Sequence, residues 1–126
     1  MTTIRYTPDH EWVATDGHLA TVGITSHARD ALGEVVYVDL PPVGQRYDAK
    51  DAVAVVESVK AAADVYMPIA GEVVEVNDAL RDDPSAVNQD PLGAGWFFKF
   101  QPQTPSDLDD LLDETRYSQL TAEDHP

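Results

Sequence analysis

The residue in this chain best suited to chemistry is Lys60, in the stretch VVESVKAAAD from Val55 to Asp64. Its flanks are small or apolar, and the only other lysines are Lys50 and Lys99. A solubilising lysine usually sits among other charges. An amine set apart in this way fits an ordinary exposed turn lysine or a covalent attachment site, which a modifying enzyme must reach, and spacing alone does not choose between them. Competing chemistries have less to use. The chain has no cysteine, which removes a thiol nucleophile, a disulfide framework and a cysteine metal site, so sulfur redox chemistry would have to come from a cofactor. His10, His18, His27 and His125 lack metal-ligand spacing, and His10-Glu11 is not followed by the second histidine of H-E-x-x-H; they read as turn or surface groups. Ser58 has no G-x-S-x-G elbow around it. Gly93 and Gly95 read as turn glycines ahead of Trp96 rather than as a phosphate cradle, and Trp12, Trp96, Phe97 and Phe98 as core or cleft-wall aromatics.

The elements around Lys60 have to hold it out. EWVAT, Asp16-Gly17 and HLATVGI predict a β-hairpin, because Asp-Gly suits a two-residue turn with positive φ at both positions. TSHARDALG predicts a short helix capped by Thr25 or Ser26, with Ala28, Ala31 and Leu32 on its apolar side and Gly33 at its end. Strands follow in GEVVYVDL, DAVAVVES and ADVYMPIAGEVVEV, broken by Pro41-Pro42, Gly44, Pro68 and Gly71. Lys60 falls between VAVVE and ADVY, at or beside a tight turn that projects its side chain away from the core. Residues 82 to 95 read as a loop with one helical turn near Pro84, and WFFKF closes the sheet portion. TPSDLDDLLDETRYSQL predicts a C-terminal helical segment over about 105–121, with Leu108, Leu111 and Leu112 on one face and an S-x-x-D cap at Ser106 and Asp109. GEVVYV at 33–38 recurs as GEVVEV at 71–76, identical at five of six positions, and each copy leads through a turn-rich loop to another apolar strand. Internal duplication and a chance match of valine-rich strands both account for this. Two similar half-units would pack as a flattened β sandwich or barrel.

With 126 residues and 43% hydrophobic content, the chain is sized for one domain with a real core, 1–126, its β part over about 4–101. MTTIRYTPDHEW has one early arginine and no apolar core region, which does not read as a secretory signal or a basic transit peptide. The apolar runs are far shorter than a membrane span, so a cytoplasmic protein is expected. The charge of -15, from 23 acids against 8 bases, argues against nucleic acid and anionic membrane as partners, because such affinity is built from Lys and Arg. Thr104 to Pro126 carries seven acids and one base, Arg116, which reads as a solvated face.

YTPDHEW, TVGIT, LGEVVYVDLP, VVESVKAAAD, GEVVEVN and the D-P-x-G-x-G-W stretch at 90 to 96 occur in the order, and at nearly the intervals, of the glycine cleavage system H-protein family. The chain resembles that family from Tyr6 to about Leu120. The resemblance implies a mainly β, lipoyl-domain-like flattened sandwich (barrel-sandwich hybrid) of two quasi-equivalent halves, with lipoate attached to Lys60 in the E-S-V-K-A context. It implies a carrier rather than an enzyme. The lipoyl arm would receive the aminomethyl group of glycine from a pyridoxal phosphate glycine decarboxylase and present it to a tetrahydrofolate-dependent aminomethyltransferase. A dihydrolipoamide dehydrogenase would then reoxidise the arm, and a lipoate ligase or lipoyl transferase would install it. The lack of cysteine suits this role, since no thiol of the chain can attack the lipoyl disulfide.

By the same resemblance, Glu11 and Asp64 match acidic positions near the arm's resting cleft, where a carboxylate could hold the cationic aminomethyl adduct. Glu57, three residues before Lys60, would face the modifying enzyme or a partner, with Ser58 part of the recognised context. Where relatives often carry a histidine three residues after Ala28, this chain has Ala31. Among rivals, a biotin carrier domain usually flanks its lysine with methionines, whereas this one has Val59 and Ala61. Lipoyl domains of 2-oxoacid dehydrogenases usually carry D-K-A within larger chains. A lipoyl-relay protein related to the family would use the same lysine. A standalone hydrolase lacks any nucleophile and base pairing here.

Overall fold

A computed structural model of the chain describes residues 3–16 and 18–123. Period-2 alternation in the predicted hairpin becomes β2 (Glu11–Asp16) and β3 (Leu19–Ile24), antiparallel from Glu11↔Ile24 to Asp16↔Leu19. Gly17, expected in the connecting turn, lies outside the described residues. A first strand, β1 (Thr3–Tyr6), pairs with β2. Thr25 caps α1 (Ser26–Leu32), its hydroxyl oxygen accepting from Ala28 N, and Gly33 ends the helix at φ 80, a left-handed conformation that favours glycine. The remaining strands are β4 (Val35–Asp39), β5 (Arg46–Tyr47), β6 (Ala52–Ser58), β7 (Ala62–Tyr66), β8 (Gly71–Val76) and β9 (Phe98–Pro102). Two antiparallel sheets result, one of six strands in the order β1-β2-β3-β9-β8-β5 and one of three in the order β4-β6-β7.

Both sheets feed one core. Val13, Val22, Val73, Phe98 and Phe100 come from the larger sheet, and Val38, Val56 and Val65 from the smaller. Each such side chain, fully buried, contributes about 1.5–3 kcal/mol of transfer free energy. This mainly β, two-sheet arrangement is the lipoyl-domain-like flattened sandwich expected from the sequence.

The repeated hexapeptide is repeated in structure as well. The first copy forms β4 and pairs with β6; the second forms β8 and pairs with β9. Each pairing has its register irregularity at the same place, between Val35 and Tyr37 in one copy and between Val73 and Glu75 in the other. A bulge at the fourth residue of both copies is a feature that valine-rich composition does not by itself produce. It favours duplication over coincidence.

A helical turn, α2 (Ala79–Asp82), precedes the loop, and the turn expected near Pro84 is α3 (Ala86–Gln89). Two expectations change. The C-terminal segment is not one continuous helix. Pro105–Asp110 is a 3₁₀ turn, and α4 runs from Glu114 to Glu123. The break has a long-range cause, because Leu112 exchanges both backbone hydrogen bonds with Tyr6, at 2.8 and 2.9 Å, and cannot also be helical. Asp113 rather than Ser106 then caps α4, its carboxylate accepting from Arg116 N at 2.8 Å. Among the described residues no helix is long and apolar enough to cross a membrane.

Candidate functional site

The turn that carries Lys60 is built by Ser58. Its N–H donates to Ala61 O at 2.7 Å and its hydroxyl donates to the same oxygen at 3.1 Å, while Ser58 Oγ accepts from Lys60 N and Ala61 N. Val59 N donates to Glu34 O at 3.0 Å, tying the turn to the start of β4. Lys60 itself is exposed and, among the described residues, forms no ion pair. The other two lysines are otherwise engaged: Lys99 Nζ lies 5.1 Å over the Trp96 ring, and Lys50 sits at φ 73 in a turn. Beneath Lys60 lies Gly33, where an added Cβ would come within 3.4 Å of Lys60 Cε. Asn88 fixes that floor: its amide donates to Gly33 O at 2.7 Å and accepts from Val35 N at 2.8 Å.

Gly33 follows Leu32, and Leu32 belongs to a cleft of about 280 Å³. One wall is α1, through His27, Ala28, Ala31 and Leu32; the others are Ile24, Val56, Ala63 and Val65, with Asp9, His10 and Glu11 at one end. Alanine at 28, 31 and 63 leaves the space open. The cleft is largely apolar, and its residue Leu32 directly precedes Gly33, over which the Lys60 stem lies.

Glu11, one of the cleft residues, is a buried carboxylate. It is 2% exposed. Thr7 Oγ1 donates to one carboxylate oxygen at 2.8 Å and Tyr66 N to the other at 2.7 Å. Burial pushes its pKa up from 4.5 to about 7; the bonds from Tyr66 and Thr7 oppose this, Asp9 adds to it, and Lys50 weakly counters it. Asp64 borders the same cleft but is exposed on β7, next to the inward Ala63 and Val65. The structure therefore brings Glu11 and Asp64 to one cleft. Glu57 is not in it: exposed on β6 opposite Tyr37, it alternates with the cleft-lining Val56.

The histidines are corrected in part. His10 and His27 both line the cleft, with ring centroids 4.3 Å apart. His18 is exposed beside the hairpin turn, and His125 lies outside the described residues. No group of three or more potential metal ligands exists among the described residues. Asn88 and Tyr117 gave no signal in the sequence, because each acts through partners distant in the chain.

The separate motifs also converge. Trp12 Nε1 donates to Pro91 O at 2.8 Å, and its ring covers Gly23, where a Cβ would lie 2.7 Å away. Asn77 donates to Ala94 O and Trp96 O, at 2.9 and 2.8 Å. HEW, TVGIT, GEVVEVN and the 90–96 stretch thus form one packed unit. Residues 4–124 match the family model described as glycine cleavage H-protein. The chain belongs to the glycine cleavage H-protein family. Its relatives include the glycine cleavage system H proteins of Phenylobacterium zucineum, 54% identical over 94% of this chain and 98% of that protein, and of Thermus thermophilus, 55% identical over 91% and 90%. The crystal structure of a glycine cleavage system H protein from Mycobacterium marinum is 40% identical, covering 94% of this chain and 96% of that one, with a TM-score of 0.86. The packed motif unit and the Lys60 turn are thus features of a member of this family.

Proposed function

We propose that this chain is the lipoyl-bearing carrier of the glycine cleavage system, a single cytoplasmic lipoyl-carrier domain with lipoate in amide linkage to Lys60 Nζ. One observation carries the reading: an exposed lysine on a hydrogen-bonded turn, its stem lying over Gly33, the chain neighbour of Leu32 in a largely apolar cleft that a buried glutamate also lines. These residues fit the group, since the amine is reachable and an aliphatic chain attached to it can run along Leu32, Ala31 and Ala63. When bound, lipoate supplies a disulfide that opens to accept the aminomethyl group and is closed again by oxidation. The chain's own residues do the rest.

Ser58 and Glu34 hold Lys60 out towards the enzyme that modifies it and towards the enzymes it serves. Those partners are the glycine decarboxylase, the aminomethyltransferase, dihydrolipoamide dehydrogenase, and a lipoate ligase or lipoyl transferase. α1 and β7 exclude water from one side of the cleft. Glu11, ionised, holds a cationic amine there by charge and hydrogen bonding, with Asp64 adding negative potential from the rim. Since Glu11 titrates at about 7, docking of a cation favours loss of its proton, and the hold strengthens as pH rises through that value. The test is glycine-dependent NAD reduction with the three partner enzymes. Wild-type chain that has been exposed to lipoate ligase should support it and Lys60→Arg should not. Equal rates with the two would overturn the reading.

A further inference from the structure

The C-terminal helix reaches the cleft through one side chain. Tyr117 is buried on an otherwise mostly exposed α4. Its ring stacks on Tyr6 at 4.6 Å and 12°. Its hydroxyl lies 2.6 Å from Thr25 Oγ1 and 2.9 Å from His10 Nδ1. Those two residues belong to two segments of the cleft: His10 lines it, and Thr25 stands in the chain between its lining residues Ile24 and His27. Thr25 caps α1, the helix that supplies one wall, and its hydroxyl oxygen already accepts from Ala28 N. His10 precedes Glu11, holds a left-handed φ of 69 and donates its N–H to Thr7 O, within the turn that also aims Thr7 at Glu11. The two segments are also linked directly, by Thr25 N donating to His10 O at 3.0 Å.

A phenol has one proton, so it can donate to at most one of Thr25 Oγ1 and His10 Nδ1. With Nδ1 of a neutral His10 as the acceptor, Thr25 donates to Tyr117 and Tyr117 donates to His10. The result is a directed chain from the cap of α1 to the residue beside Glu11. From this geometry we infer that Tyr117 is a positioning residue: it fixes these two segments of the cleft, so that the C-terminal helix sets how well the cleft shields the loaded arm. The inference rests on the reading of this cleft as the arm's docking place. It assigns the acidic C-terminal segment a task in the carrier cycle beyond solubility.

The discriminating variant is Tyr117→Phe, which keeps the ring stacked on Tyr6 and removes only the hydroxyl. On protein without lipoate, nitrogen-15 spectra of His10 and amide exchange at Ala28 read the hydroxyl chain directly. Loss of one net hydrogen bond corresponds to roughly tenfold faster exchange at Ala28, accompanied by a changed His10 tautomer ratio. On lipoylated protein, the half-life of the aminomethyl-loaded form should shorten severalfold, while the rate of Lys60 lipoylation stays unchanged. Ala63→Trp, which fills the cleft, is measured alongside. A shortened half-life with Ala63→Trp but not with Tyr117→Phe would overturn the role of Tyr117 and leave the cleft reading standing. An unchanged half-life with both would overturn the cleft reading itself, and the positioning role with it. Should Tyr117→Phe slow lipoylation as much as it shortens the half-life, the hydroxyl acts on the fold at large and the positioning role fails.

Discussion

Glu11 illustrates what burial does to a carboxylate. Two donors satisfy it, yet desolvation outweighs them and its pKa lies near 7. The sign of the stability effect follows. A carboxyl whose folded pKa is raised binds its proton more tightly in the native state, so native stability falls as pH rises from 4.5 to about 7 and stays lower above. The difference is on the order of 3 kcal/mol at most. Glu11→Gln removes this term, and its amide can still present oxygen to Tyr66 N and hydrogen to Thr7 Oγ1. Urea unfolding should therefore find the variant more stable than wild type at pH 8 and the gap closed below pH 4.5. In the loaded carrier the same variant should lose the rise in adduct lifetime that wild type gains as pH passes through 7. A parallel pH profile in both proteins would remove Glu11 from the holding role. The raised pKa is thus a cost to the fold, present in full once the pH passes about 7, and the proposed holding role would give that cost a purpose.

At the scale of elements, Asn88 has the widest reach for its size. From the short α3 it closes the end of α1 at Gly33 and receives the first N–H of β4 at Val35. Asn88→Ala leaves that carbonyl and that N–H without their partners, at a cost of about 1–3 kcal/mol. It should also loosen the floor under Lys60, so lipoylation by a ligase should slow, measured as kcat/KM; an unchanged rate would mean the floor is not needed for recognition. Local signals made much of this architecture legible. Thr25 and Gly33 bounded α1, Pro68 and Gly71 separated β7 from β8, and alternation marked β2 and β3. What the sequence hid depends on partners far along the chain. Leu112 leaves the helical pattern because it pairs with Tyr6, and Glu11 is buried by Tyr66, fifty-five residues away. β1 and β5 are four and two residues long, too short to show a period, and take their form from β2 and β8. Lys60 was readable as an isolated amine in a turn, whereas the cleft was expected only through the family resemblance, since four segments build it.

For the whole molecule, duplication and charge dominate. Two copies of one hexapeptide strand, each bulged at its fourth residue, support a pair of related half-units in which the first copy leads on to the attachment hairpin and the second to the closing strand β9. The charge of -15 makes the molecule strongly anionic, and Asp107, Asp109, Asp110, Asp113 and Glu114 are all exposed. If partner enzymes dock through basic patches, raising salt from 0.05 to 0.5 M should weaken their apparent affinities several-fold, because exposed charges are screened over about 10 Å at 0.1 M and far less at higher salt. Affinities indifferent to salt would assign docking to apolar contacts such as the exposed Val59 and Tyr37. The carrier role depends on one bond at Lys60. The measurement is intact mass with peptide mapping, on protein produced in cells that can lipoylate, beside Lys60→Arg. A lipoyl increment is expected on the peptide containing Lys60 and none on the variant; an unmodified Lys60, a biotinyl increment, or a lipoyl group on Lys50 or Lys99 would overturn the carrier role.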